Sequence, residues 1–221
     1  MRHIKKSKEP QSLATFKGIQ VKNFTPTFEA LPPHVIQEIV NNLMQDQGCL
    51  CCYCMDEITL ENARLVQFIA SQEEALHYTN MFLACSNSNA LLPQHQHCYI
   101  KKGTDLIPKY MADEQCTTYF RYNTLGEIVP MCEFRTIRKC QDNYRKLSPV
   151  QQGVLAAIEI LNLNADRLCE QRKAIYTQIA TLFNRAKKEQ IQQAVEKFGK
   201  KDKQLKLKRF CEVIIYYLLH L

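Results

Sequence analysis

Cys51 and Cys54 stand at the spacing that lets two thiolates converge on one ion, inside a run from Cys49 to Cys54 that holds four of the chain's 11 cysteines. Cys85 and Cys98 are the obvious second pair, with 12 residues between them, looser than a standard knuckle. Four thiolates arranged tetrahedrally make a closed structural zinc site. Cys49 and Cys52 are spare and compete as ligands. Cys116, Cys132, Cys140, Cys169 and Cys211 are scattered and read as small buried hydrophobes. The first ten residues are basic but lack the apolar centre of a secretory signal. So many cysteines without that signal point to a reducing compartment, and a cytoplasmic protein is expected.

The elements that must carry these thiols are short. In 221 residues, 46% hydrophobic and 23% charged, wholesale disorder is excluded. The longest apolar run, Val213 to Leu219, is seven residues, well short of the ~18 needed for a membrane span. Residues 1–31 show no periodicity and are expected to form an extended polar arm. Pro32 and Pro33 open a helix carrying Val35, Ile36, Ile39, Val40, Leu43 and Met44 at helical spacing, and Gly48 ends it. Residues 62–72 suggest a strand, 75–85 a short helix and 86–96 a loop. Tyr119, Phe120 and Tyr122, a turn at 123–126, then Ile128 and Val129 predict a hairpin. Ser148-Pro149 starts a helix with Val154, Leu155, Ile158 and Leu161 on one stripe. A second long helix carries Leu168, Ile175, Ile179, Leu182 and Phe183 and is broken by Gly199. A third carries Leu205, Phe210, Val213, Ile214, Tyr217 and Leu218. The expectation is an α+β chain in three parts: an arm at 1–31, a zinc-binding domain at 32–147, and a helical, basic domain at 148–221.

The net charge of +7 is concentrated. Residues 185–209 hold ten basic side chains, Lys200, Lys201 and Lys203 among them, and three acids. Such a stretch attracts phosphates and makes binding salt-dependent. A solvated helix pair and a dock for an acidic partner are the alternatives.

A family becomes visible in the order of the motifs. Met1-Arg2-His3-Ile4-Lys5-Lys6 leads to Glu9-Pro10, then Cys51-Cys52-Tyr53-Cys54-Met55. Ala75-Leu76-His77-Tyr78-Thr79-Asn80 precedes Leu83-Ala84-Cys85, and His97-Cys98 precedes Lys101-Lys102-Gly103. Phe120-Arg121-Tyr122-Asn123 stands ahead of Gly126, and Leu161-Asn162-Leu163-Asn164 leads to Leu168 and Arg172. Over residues 1 to about 175 this resembles the retron-associated HNH endonuclease-like (PtuB, Septu) family. The resemblance implies a zinc-stabilised HNH core, a ββα-metal-like nuclease fold, with flanking helices. It also implies a role in bacterial antiviral defence, on DNA or RNA, beside an ABC-type ATPase of the PtuA kind. In the retron version, a reverse transcriptase and its RNA–DNA belong to the same system. No membrane partner is implied.

An HNH centre needs a divalent cation at the phosphate, a histidine base and an asparagine that orients the histidine. In the family, the base and a metal-binding carboxylate stand together as Glu-His. Here that dipeptide falls on Val66-Gln67: valine cannot bind a cation, and glutamine has no lone pair basic enough to act at neutral pH. The asparagine is retained as Asn80, while Tyr99 occupies the family's second, acidic ligand position. A catalytic magnesium or manganese ion is therefore doubtful. A relocated imidazole would have to come from His77, which replaces a family aspartate, or from His97 or His95 beside Cys98. The bland reading orients the zinc loop with His97 and leaves His77 as a surface or capping group. Lys101 and Lys102 are expected phosphate contacts. Two functions stand side by side: an effector nuclease, and a catalytically degenerate nucleic-acid-binding or scaffolding subunit.

Overall fold

The N-terminal residues do not form an arm. In the computed structural model, which describes residues 1–221 other than Asn23, Ala70, Gln72 and Leu221, they hold helix α1 (Gln11–Lys17), whose Leu13 and Phe16 are buried. Met1 is also buried, and Arg2 donates to Gly199 O at 2.9 Å and pairs with Glu212 at 3.0 Å. Two apolar residues in a seven-residue helix give no readable period. Their burial comes from packing on the next helix, Pro33–Asp46, and, for Phe16, from the Phe24 ring 6.2 Å away.

Helix α2 (Pro33–Asp46) starts on proline and buries Val35, Ile39 and Leu43, a single i, i+4 stripe. The chain leaves it through Gln47 and Gly48. Strand β1 (Ala63–Gln67) pairs antiparallel with β2 (Met81–Cys85), Ala63 opposite Cys85 and Gln67 opposite Met81. The strand expected over 62–72 is thus realised in its first half, and its positions 70 and 72 lie outside the described residues. The helix expected at 75–85 is corrected to a 3₁₀ turn, Tyr78–Asn80, followed by β2. All five residues of β2 are buried, and a strand buried on both faces carries no alternation to separate it from a helix. The far edge of β2 is closed by a side chain. Gln47 Oε1 accepts from Leu83 N–H at 2.7 Å, and Gln47 Nε2 donates to Leu83 O at 2.9 Å.

After the loop at 86–96, with its 3₁₀ turn Pro93–His95, comes the short helix α3 (Tyr99–Lys102). The expected hairpin forms as β3 (Phe120–Tyr122) and β4 (Ile128–Pro130). Helix α4 (Ile137–Asp142) follows. Then comes α5 (Pro149–Ile160), where Ser148 and Gln151 make a reciprocal capping box. The second long helix is two: α6 (Asp166–Phe183) and α7 (Lys188–Gly199). Leu182, placed on its apolar face, is 74% exposed. Helix α8 runs from Cys211 to Leu219, so Leu205 lies in the preceding loop, with positive φ. Leu182 and Leu205 kept the apolar count going where the chain had already turned.

Among the described residues the architecture is mixed α+β, mostly helical with two two-stranded sheets. Helix α5 packs on β4 and α8 on β3, and one core joins Leu13, Val35 and Leu83 to Val154, Leu168 and Val213. The boundary expected near 147 is therefore crossed by shared packing. Among the described residues no helix is long and apolar enough to cross a membrane.

Candidate metal centre

The turn after α2 aims its thiols inward by backbone conformation. Gly48, Cys49 and Met55 all have positive φ, and Cys51 N–H donates to Asp56 O at 2.8 Å while Met55 N–H donates to Cys51 O at 3.1 Å. Cys51 and Cys54 thus face Cys85, the last residue of β2. Cys98, with φ +55, is held by its N–H donating to Leu161 O at 2.9 Å. The sulfurs of Cys51, Cys54, Cys85 and Cys98 all lie within 4.8 Å of one another, and all four residues are buried. Thiolates about 2.3 Å from a tetrahedral zinc stand about 3.8 Å apart. Cys54 and Cys85 Sγ are separated by 3.7 Å.

The surroundings suit anionic sulfur. Cys85 N–H points at Cys51 Sγ (3.3 Å) and Asp56 N–H at Cys54 Sγ (3.4 Å). Burial raises the Cys51 pKa, but hydrogen bonds from Cys52, Cys54, Cys85 and Cys98 outweigh it, and the net shift is downward. Hydrogen bonding to Cys51 pushes Cys54 and Cys85 up, and burial pushes Cys98 up. Four buried sulfurs with no carboxylate and no open position fit a structural metal such as zinc, which supplies folding energy rather than a reaction site.

The spare thiols stay outside the group. Cys52 is buried and Cys49 half-buried, and neither belongs to the four. Cys116, Cys140 and Cys211 are buried as expected, whereas Cys132 and Cys169 are half-buried.

His97 belongs to the cysteine loop. It is buried, its Nδ1 lies 3.3 Å from Cys98 Sγ and 3.9 Å from Cys85 Sγ, and Ser88 Oγ bonds both its N–H and its carbonyl. Burial pushes its imidazole pKa down. His77 lies on the surface, 3.7 Å from Glu74, and His95 is 3.9 Å from Asp166. The Asn80 amide is fully occupied. Its Oδ1 accepts from Ile69 N–H at 2.7 Å, and its Nδ2 donates to Ile69 O at 2.9 Å and Glu74 O at 3.0 Å. It closes the loop between β1 and β2. Gln67 ties the same loop through Ala75 O at 3.0 Å, and Val66 is buried. Asn80 and His77 therefore meet at Glu74, while His97 stands with the sulfurs. Tyr99, partly exposed, opens α3.

Of the expected phosphate contacts, Lys101 is exposed. Lys102 is buried, and burial lowers its pKa. Lys200, Lys201 and Lys203 are exposed. Lys201 Nζ donates to Gln45 O (2.6 Å) and Asp46 O (3.0 Å) at the negative end of α2.

Arg172, which closes the motif that begins at Leu161, has a structural role. Only 2% exposed, it donates through Nε to Gly126 O at 2.6 Å and through Nη2 to Leu163 O at 2.7 Å and Asn164 Oδ1 at 3.1 Å. An arginine on an otherwise apolar helix stripe, following two asparagines, was the available signal. Searches of the chain against protein-family models and against curated proteins find no match.

Proposed function

We propose that this chain is a zinc-braced, HNH endonuclease-like subunit of a bacterial antiviral system of the retron or Septu type. It engages nucleic acid beside an ABC-type ATPase and a reverse transcriptase with its RNA–DNA, and it no longer cuts by the HNH route. The buried four-cysteine group carries the reading. It unites the two cysteine pairs on which the resemblance turns, with all four sulfurs within 4.8 Å of one another. Zinc there braces the scaffold.

The chain's own residues argue against turnover. A base must be free to take a proton from water, and a cation ligand must offer a lone pair to a site that substrate can reach. Val66 offers none, Gln67 and Asn80 are bound to backbone, and His97 is buried at the sulfurs. Binding remains, through exposed lysines such as Lys101, Lys200 and Lys203. A second reading, a relocated nuclease centre, draws on His77, Glu74 and Asn80 meeting at one loop.

Purified with its ATPase partner, the protein is expected to leave plasmid DNA and cellular RNA intact with added magnesium or manganese. Cleavage that disappears in His77→Ala would reverse the proposal in favour of the relocated centre.

A further inference from the structure

The basic stretch is fastened to the metal-binding turn. Leu207 N–H donates to Gly48 O and Phe210 N–H to Met55 O, both at 3.0 Å, so residues 207–210 run along the turn that carries Cys51 and Cys54. Side chains reinforce the seam. Arg209 Nη2 donates to Asp56 Oδ2 at 2.9 Å, and Lys206 Nζ stands 3.9 Å from Glu57. At Gly48 (φ +61) a Cβ would come within 2.6 Å of Leu207 Cγ and 2.9 Å of its backbone nitrogen. Only glycine lets the two segments close.

The loop is also bent from within. Asp202 Oδ1 accepts from Gln204 N–H (2.8 Å) and Lys206 N–H (2.9 Å), and Leu205 and Phe210 both have positive φ. Non-glycine residues hold that conformation only where surrounding contacts over-determine it. Here the outside contacts come from the turn. Lys200, Lys203 and Lys208 are left exposed, and Lys203 and Lys208 make no ion pair among the described residues.

We propose that the cysteine cluster, when it holds its metal, controls nucleic-acid binding through this seam: the braced turn holds the 200–210 loop, and the loop presents Lys200, Lys203 and Lys208 to the phosphates of a strand. None of these lysines is a metal ligand, so the coupling runs through backbone contact. The ligand rests on the nucleic-acid reading above; the coupling does not.

The test uses the full chain with two readouts, limited trypsin digestion and binding of a fluorescein-labelled single-stranded DNA. Four samples are compared: zinc-loaded, chelated, Gly48→Ala, and the Asp56→Asn/Glu57→Gln double variant. Trypsin is expected to spare Lys203, Lys206 and Lys208 in the zinc-loaded protein and to cut there after chelation. It is expected to cut there in both variants as well, while each still binds zinc. DNA binding should weaken in step, its salt slope falling by about one unit per released lysine. DNA binding and protection that are unchanged in zinc-loaded Gly48→Ala overturn the proposal and leave the nucleic-acid reading standing. Metal-dependent protection in a chain that binds no DNA overturns the ligand and that reading together.

Discussion

The two hairpins solve one problem with different chemistry. A two-stranded sheet is marginal on its own, so each must be held from outside. The β1–β2 hairpin ends in Cys85, and four buried sulfurs tie it to the α2 turn and to the Cys98 loop. The β3–β4 hairpin is held by the Arg172 guanidinium at Gly126 O, by Asn164 bonding both N–H and O of Ile128 (2.8 and 2.9 Å), and by Tyr217 OH donating to Asn123 O (2.7 Å). One clamp is a thiol group fit to hold a cation from solution, whereas the other carries its own charge on Arg172. The first is therefore expected to answer to metal and redox conditions, and the second is not.

Removing a sulfur is the largest expected perturbation. Cys85→Ser should abolish metal binding and, with it, the order of the knuckle and first hairpin, because structural zinc supplies on the order of 10 kcal/mol of folding free energy. Metal analysis and near-ultraviolet circular dichroism would record it. A variant that loses metal but melts like the parent would show that the β1–β2 hairpin has another clamp.

Arg172→Met attacks the other clamp. The substitution keeps the packing volume but leaves the buried carbonyls of Gly126 and Leu163 without donors, at about 3–4 kcal/mol of stability. Urea denaturation should show that loss while zinc content stays at the parent value. Zinc lost together with Arg172 would mean that the two clamps are one cooperative unit.

How much of this was legible follows from what each feature depends on. The α2 stripe, the β3–β4 hairpin and the Ser148 cap are local, and spacing alone specifies them. The cysteine quartet was legible because few arrangements bury so many thiols usefully. α1 and β2 show no readable period, because α1 is only seven residues long and β2 is buried at every position. Lys102 could not be told from Lys101 by residue type, since adjacent positions on the four-residue helix α3 face core and solvent. The Gln67 and Asn80 positions were found, but their roles depend on backbone groups that no pattern announces. The same holds for Arg172, whose partners are carbonyl oxygens rather than a carboxylate.

The smallest predicted effect tests the joint between the clamps. The turn after α5 serves both: Leu161 O accepts from Cys98 N–H (2.9 Å), and Asn162 Nδ2 donates to Gln94 O (3.0 Å) and Gln96 O (2.7 Å) in the cysteine loop. Two residues on, Leu163 and Asn164 receive Arg172. Asn162 has φ +46, a conformation asparagine tolerates better than alanine. Asn162→Ala therefore removes two donors and adds backbone strain, and about 1–2 kcal/mol of stability should be lost. Because those donors hold the segment that leads into Cys98, the variant should also release zinc faster to a chelator, while the hydrogen-exchange protection of β3–β4 stays unchanged. Protection lost in that hairpin as well would make the turn a hinge that both clamps share.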